Sequence, residues 1–194
     1  MFNSIAMLKD NIHASISAKQ SLLADAELHN LFSKVVNLVI ESYKNGGRLY
    51  IAGNGGSAAD AQHLAAEFVS KLAKDRGPLP AEALTTDSSI LTAIGNDYGF
   101  NKVFSRQLLG KANSSDIFLA ISTSGQSPNI LEALKECKKI GVKSILFTGR
   151  DGGQAKELAD YCLTVPGALT STIQEVHILL AHSLCQCVED TLFD

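Results

Sequence analysis

Residues 49–71 constrain the fold of this chain more than any other stretch. They read Leu-Tyr-Ile-Ala-Gly-Asn-Gly-Gly-Ser-Ala-Ala-Asp-Ala-Gln-His-Leu-Ala-Ala-Glu-Phe-Val-Ser-Lys. The apolar run 49–52 predicts a buried strand, and Gly53, Asn54, Gly55 and Gly56 predict a tight turn. Good helix formers follow, with Ser57 placed as the N-cap. A strand that enters a helix through a glycine-rich turn presents free backbone N–H groups and the positive end of the helix dipole at one spot, which suits an anion. The glycines let the backbone approach that ligand closely.

The same helix carries His63 and Glu67, four residues apart and so on one face. An imidazole and a carboxylate one turn apart suit an acid–base pair or half of a metal site. The spacing is also ordinary helix-surface decoration.

The rest of the chain alternates. Helices are expected at 4–23, with Ile5, Leu8, Ile12, Ile16 and Leu22/Leu23 as a stripe, and at 26–44, apolar over a wide arc. Residues 74–80 read as a loop and 81–84 as a short strand. Asp87 caps a helix to about residue 94, which 95–99 break, and 100–109 is helical again. Strands at 117–121, 142–147 and 161–165 alternate with helices at 128–139, 154–158 and 171–192. This pattern predicts a parallel sheet with helices on both faces. Ligands in such sheets bind beyond the carboxyl ends of the strands, where the loops 53–57 and 122–127 both fall. Two helices before the first strand exceed what one small sheet needs, which leaves one free to pack on a second copy.

The loop 122–127 puts Ser122, Thr123, Ser124 and Ser127 next to a helix that begins with Pro128. Hydroxyls and amides together can hold a phosphate without cations; a plain serine-rich turn capped by Ser127 is the alternative. Neither glycine loop has the spacing of a Walker A loop or a dinucleotide fingerprint. The last helix supplies Gln174, His177 and His182. Gln174 and His182 are eight apart, about 12 Å along a helix axis and roughly 80° around it. One regular helix does not aim both at one ion. Either Gln174 lies at a bent helix entry or the two come from different subunits.

A length of 194 residues fits one domain, and 45% hydrophobic residues allow a full core. The net charge of −3, with no basic block, argues against nucleic acid or an anionic membrane as partner. The start shows no leader pattern, no run is long enough to span a bilayer, and four scattered cysteines read as free thiols, so a cytoplasmic protein is expected.

Five segments together resemble the sugar isomerase (SIS) domain, and more narrowly its phosphoheptose isomerase branch. They are 53–57 (Gly-Asn-Gly-Gly-Ser), 95–100 (Gly-Asn-Asp-Tyr-Gly-Phe), 122–127 (Ser-Thr-Ser-Gly-Gln-Ser), 148–153 (Thr-Gly-Arg-Asp-Gly-Gly) and 173–177 (Ile-Gln-Glu-Val-His). The resemblance runs in order from the N-terminal helices to the last helix. It implies a single SIS domain over 1–194, with a helical pair at 1–45 and a flavodoxin-like αβα sandwich at 48–192. It implies aldose–ketose isomerisation of sedoheptulose 7-phosphate to D-glycero-D-manno-heptose 7-phosphate through an enediol. That step starts the supply of activated heptose for bacterial surface glycans such as lipopolysaccharide. It also implies a homotetramer with sites between subunits, and in many members a zinc ion. The matching zinc positions are His63, Glu67, Gln174 and His182. The matching sugar-phosphate contacts are Asn54, Gly55, Gly56, Ser57, Lys71, Asn96, Asp97, Ser122, Thr123, Ser124, Ser127 and Gln174. Glu67 is the implied base and His182 its partner. A zinc-bound carboxylate is a weakened base, so either the ligand set loosens in turnover or the metal is in part structural or inhibitory. Lys71 stands where the family often has Arg, which removes a bidentate fork. Ser171 and Thr172 stand where a charged pair is frequent. Two other readings compete: a non-catalytic SIS protein that binds the bacterial replication initiator, and a phosphosugar-binding regulatory module.

Overall fold

The computed structural model describes residues 3–193. Five strands, β1 Leu49–Gly53, β2 Ala81–Ala83, β3 Ile117–Ser122, β4 Lys143–Gly149 and β5 Tyr161–Val165, form one sheet in the order β2-β1-β3-β4-β5. Every pairing is parallel. The helices are α1 Ser4–Ala24, α2 Ala26–Lys44, α3 Gly56–Val69, α4 Ser88–Tyr98, α5 Ser105–Lys111, α6 Pro128–Ile140 and α7 Thr170–Phe193. The three central strands, β1, β3 and β4, are apolar runs because both their faces are covered, whereas the edge strands β2 and β5 are only partly buried. Leu49, Ile51, Leu119, Ile121 and Phe147 point into a core shared with α2, α3 and α7. Tyr50, Ala52, Phe118, Ala120 and Leu146 point into a second core with α5 and α6. Among the described residues no helix is long and apolar enough to cross a membrane.

Local signals set most boundaries. Asp87 accepts a hydrogen bond from the Ile90 N–H at 2.9 Å and starts α4. Pro128 opens α6, and Gly141, at φ 77°, closes it in the left-handed conformation. Four expectations change. Ser57 is not the cap of α3: Gly55, at φ 57°, turns the chain two residues earlier, and Ser57 is buried inside the helix. The helix α4 is not broken at residue 95. It runs through Gly95, Asn96 and Asp97 to Tyr98 and stops at Gly99, φ 87°, because one internal glycine costs only about 1 kcal/mol relative to alanine. The segment 100–109 divides into a 3-10 turn, Phe100–Lys102, and α5. The segment 154–158 is a 3-10 turn, Gln154–Glu157.

The helix α1 buries Ser15, Ala18 and Leu22 and turns the rest of its apolar stripe, Ile5, Leu8, Ile12, Ile16 and Leu23, outward. Ile5 is 66% exposed, and Leu8, Ile12 and Ile16 are exposed as well. The inward side is held to α7 by polar contacts: Ser15 donates to the Glu175 carboxylate, and Lys19 donates to the Ser15 hydroxyl at 2.9 Å.

His177 on α7 is 1% exposed, with its ring 6.2 Å from that of Phe147. Burial pushes its pKa down to about 4, partly offset by the backbone of Thr148. A depressed folded-state pKa means that the unfolded chain takes up the proton first as pH falls. The stability contribution is therefore complete above the unfolded value near 6.5 and is lost as pH drops toward 4. Urea unfolding is expected to show about 2 kcal/mol lost between pH 7 and pH 5 from this group. His177→Leu is expected to flatten that part of the pH profile.

Candidate active site

The strands β1 and β3 are neighbours, yet the helices that follow them lie on opposite faces of the sheet. Their carboxyl ends therefore splay apart and leave a crevice. Asn54, just after β1, and Asn129, in the first turn of α6, close its base with a reciprocal amide pair. Asn54 Nδ2 donates to Asn129 Oδ1 at 2.9 Å, and Asn129 Nδ2 donates back at 2.8 Å. A cavity of about 550 Å³ opens here, lined by Asn54, Phe100, Asn101, Ser127, Pro128 and Asn129.

Two helix N-termini, those of α3 and α6, open on this crevice, and neither has a side-chain cap. The hydroxyl of Ser127 lies instead 3.3 Å from that of Ser122. The serine loop is braced from behind by backbone. Gly149 N–H donates to Thr123 O at 3.2 Å, and Ala155 N–H donates to Gly125 O at 2.9 Å. Gly125 has φ 61° and its α-carbon faces the Gly152 carbonyl, so any side chain there would collide with backbone. Gln126 N–H donates to Ser124 Oγ at 3.2 Å. Amides and hydroxyls held this way suit a phosphate in a chain without a basic patch. Gln174, near the start of α7, reaches the same place: a β-carbon on Gly56 would sit 2.5 Å from its Nε2.

Further along α3, His63 and Glu67 meet His182 of α7. His63 Nε2 is 3.1 Å from Glu67 Oε1 and 3.5 Å from His182 Nε2. The two imidazoles meet edge to face, with centroids 5.0 Å apart. One ligand atom from each of the three residues lies within 4.8 Å of the others. Two imidazoles and a carboxylate form a donor set suited to zinc, and three protein ligands with an open position are the arrangement of catalytic zinc sites. The trio is not sealed, since the His63 side chain is 47% exposed. Asp60, one turn before His63, has a carboxyl oxygen buried without a hydrogen-bond partner among the described residues. Burial raises its pKa, and His63 opposes that shift.

The sequence profile of the SIS domain matches residues 13–149. The chain belongs to the SIS domain family, on its phosphoheptose isomerase branch. A curated phosphoheptose isomerase of Aneurinibacillus thermoaerophilus is 51% identical over 186 residues, which cover 96% of this chain and 94% of that protein. One from Burkholderia pseudomallei is 53% identical over 173 residues, 89% and 88% of the two chains. Among solved structures, the phosphoheptose isomerase GmhA of Neisseria gonorrhoeae superposes with a TM-score of 0.91 at 41% identity, over 97% of this chain and all of that one. That of Francisella tularensis gives 0.93 at 35% identity, also over 97% of this chain and all of that one.

In this SIS chain the expected residues fall into two groups. Asn54, Gly55, Gly56, Ser57, Ser122, Thr123, Ser124, Ser127 and Gln174 belong to the crevice and the loops around it. His63, Glu67 and His182 form the trio. Gln174 was expected beside the trio's metal as well; the unbroken α7 places it about 12 Å up the axis from His182 in the same chain. Asn96 and Asp97 lie on the exposed α4, where Asn96 donates to Asp97 at 2.8 Å. Asp97 lines a separate cleft with Tyr98 and Arg106. Lys71 follows α3 and pairs with the exposed Asp75 at 3.5 Å. Sequence reading missed Asn129, Asn101 and Asp60. Asn129 carried one signal, a polar residue at the second position of a helix that opens on a glycine loop.

The trio predicts tight zinc binding. Loss of a partner that merely orients a zinc ligand already costs 10–100-fold in affinity. Glu67→Gln and His182→Ala are therefore expected to weaken zinc binding by at least about tenfold each, read by titration against a chromophoric chelator.

Proposed function

We propose that this protein is an aldose–ketose isomerase that converts sedoheptulose 7-phosphate to D-glycero-D-manno-heptose 7-phosphate. One observation carries the reading. An anion cradle at the start of α3 and an acid–base trio whose α3 members lie two to three turns further along the same helix stand about 10–16 Å apart along its axis. A sugar ester with its phosphate at one end and its reacting carbons at the other needs that separation. The names borne by relatives at about half identity support the same substrate.

The phosphate is held by the amides at the α3 and α6 N-termini and the hydroxyls of Ser122, Thr123, Ser124 and Ser127. The Gln174 amide rests on the first turn of α3 and orients that end. Glu67 takes a proton from C1 of the ketose and returns it to C2. His182 gives a proton to the C2 oxygen and removes one from the C1 hydroxyl. The intermediate is an enediol, and neither atoms nor charge are lost. His63, hydrogen-bonded to Glu67, fixes the carboxylate's orientation. Zinc, held by His63, Glu67 and His182, would supply Lewis-acid polarisation of the carbonyl and hydroxyl oxygens.

The half-open trio and the outward stripe of α1 support a homotetramer whose sites lie between subunits. In that assembly a second copy covers the exposed edge of His63. Four free cysteines support a cytoplasmic location, and the product fits activated-heptose supply for bacterial surface glycans.

The test follows aldose formation from sedoheptulose 7-phosphate with and without a chelator. Glu67→Gln and His182→Ala are each expected to lower kcat by about 10²–10⁴-fold. Turnover that survives both substitutions would refute the mechanism. For shared sites, kcat of the wild-type protein is followed on dilution while the oligomer is monitored by light scattering. Activity is expected to fall as copies separate, whereas sites built within single chains would keep it.

A further inference from the structure

A buried ion pair lies directly beyond the trio. Arg76 and Glu189 are 1% and 0% exposed at their side chains, and Arg76 Nε donates to Glu189 Oε2 at 2.7 Å. Glu189, on α7, also accepts from the backbone N–H groups of Leu72, Ala73 and Lys74, at 3.3, 3.1 and 2.7 Å. Burial alone would raise its pKa, but these donors outweigh burial and hold the carboxyl at about 2. The remaining guanidinium donors turn back on α3. Nη2 donates to the carbonyl of Glu67 at 3.0 Å, and Nη1 donates to the carbonyls of Phe68 and Gly77 at 2.9 Å each. Arg76 thus caps the last turn of α3 on the backbone of Glu67 itself. Its counter-ion lies two turns after His182 on α7.

We propose that Arg76 and Glu189 are positioning residues for the acid–base trio: they lock the end of α3 to α7 so that Glu67 and His63 meet His182. Neither touches the trio's side chains, so they act through the backbone. The inference rests on the role proposed above for the trio, and one arm of its test does not depend on that role.

A single neutral replacement leaves a buried charge alone and endangers folding. Replacing both partners by apolar residues of similar size is often tolerated. The double variant Arg76→Met/Glu189→Leu keeps the packing and loses the bonds to Glu67, Phe68 and the 72–74 backbone. Arg76→Lys keeps the charge and loses the planar fork.

Three readouts apply to folded protein with a cooperative unfolding transition. In the double variant kcat for sedoheptulose 7-phosphate is expected to fall at least about tenfold, with KM within about twofold, because the phosphate cradle is untouched. Cobalt affinity, read from visible absorption as the metal is titrated into metal-free protein, is expected to fall about 10–100-fold. The ring ¹⁵N shifts of His63 and His182, recorded without metal or substrate, are expected to move from wild type. Arg76→Lys is expected to fold and to lie between wild type and the double variant in all three. A folded double variant with wild-type kcat, cobalt affinity and ring shifts overturns the inference. If wild-type protein neither isomerises the sugar nor binds cobalt, the functional reading falls, and the ring shifts alone decide this one.

Discussion

The register of α7 on α3 is the constraint on which the site depends. The two helices run side by side in the same direction. Gln174 meets Gly56 at one end, His182 meets His63 in the middle, and Glu189 meets the 72–76 segment at the other. These contacts span fifteen residues of α7, about 22 Å. A slip of one residue would rotate α7 by about 100° relative to α3 and break all three. Apolar packing supports the register: Ala61, Leu64 and Phe68 of α3 share a core with Val176, Leu180 and Leu184 of α7. That core is non-directional, however. Glycine at position 56 admits the Gln174 amide, and the Arg76–Glu189 pair accepts one geometry. Those polar contacts convert a greasy seam into a defined alignment.

The crevice at the other end is built differently. Its rigidity comes from backbone packed on backbone. Gly125 and Gly153 lie against each other's loops with no room for a β-carbon, and both have positive φ. The Asn54–Asn129 pair joins the two loops with two bonds, neither of them ionic. A phosphate entering such a site meets donors that need little rearrangement, and that pre-organisation substitutes for the positive charge the chain lacks. The trio is more open and its members come from two helices. The crevice is fixed by loops packed on each other, while the trio depends on how α3 and α7 are set against each other.

This division explains what was legible in the sequence. Strands buried on both faces read as apolar runs, and helix-starting residues such as the cap Asp87 and Pro128 act over three or four residues. The three central strands and the glycine loops were therefore readable, and the His63–Glu67 spacing follows from helix geometry alone. His182 had no local signal, because its meeting with His63 is a property of register between elements 119 residues apart; only resemblance pointed to it. The same holds for Asn129, whose partner is 75 residues away. Gly95 misled because a helix-breaking tendency of about 1 kcal/mol is small beside the packing of a whole helix. Periodicity marks the stripe on α1 as apolar but does not tell which body an apolar face meets.

That last point bears on assembly. Ile5, Leu8, Ile12 and Ile16 are each about half exposed or more, and covering what remains of each gains about 1–2 kcal/mol. One copy's stripe is then worth about 4–8 kcal/mol, and a symmetric interface counts it twice. Association costs roughly 4–15 kcal/mol in lost freedom, so the stripe is of the right order to hold two copies but leaves little surplus. Polar complementarity has to supply the remainder. The exposed edge of the trio is where such complementarity would also serve chemistry: a neighbour that covers His63 excludes water from the reacting carbons and fixes the imidazoles at once. In the proposed assembly, burial of α1 and closure of the trio would be one event, and catalytic competence would depend on protein concentration through the equilibrium between copies.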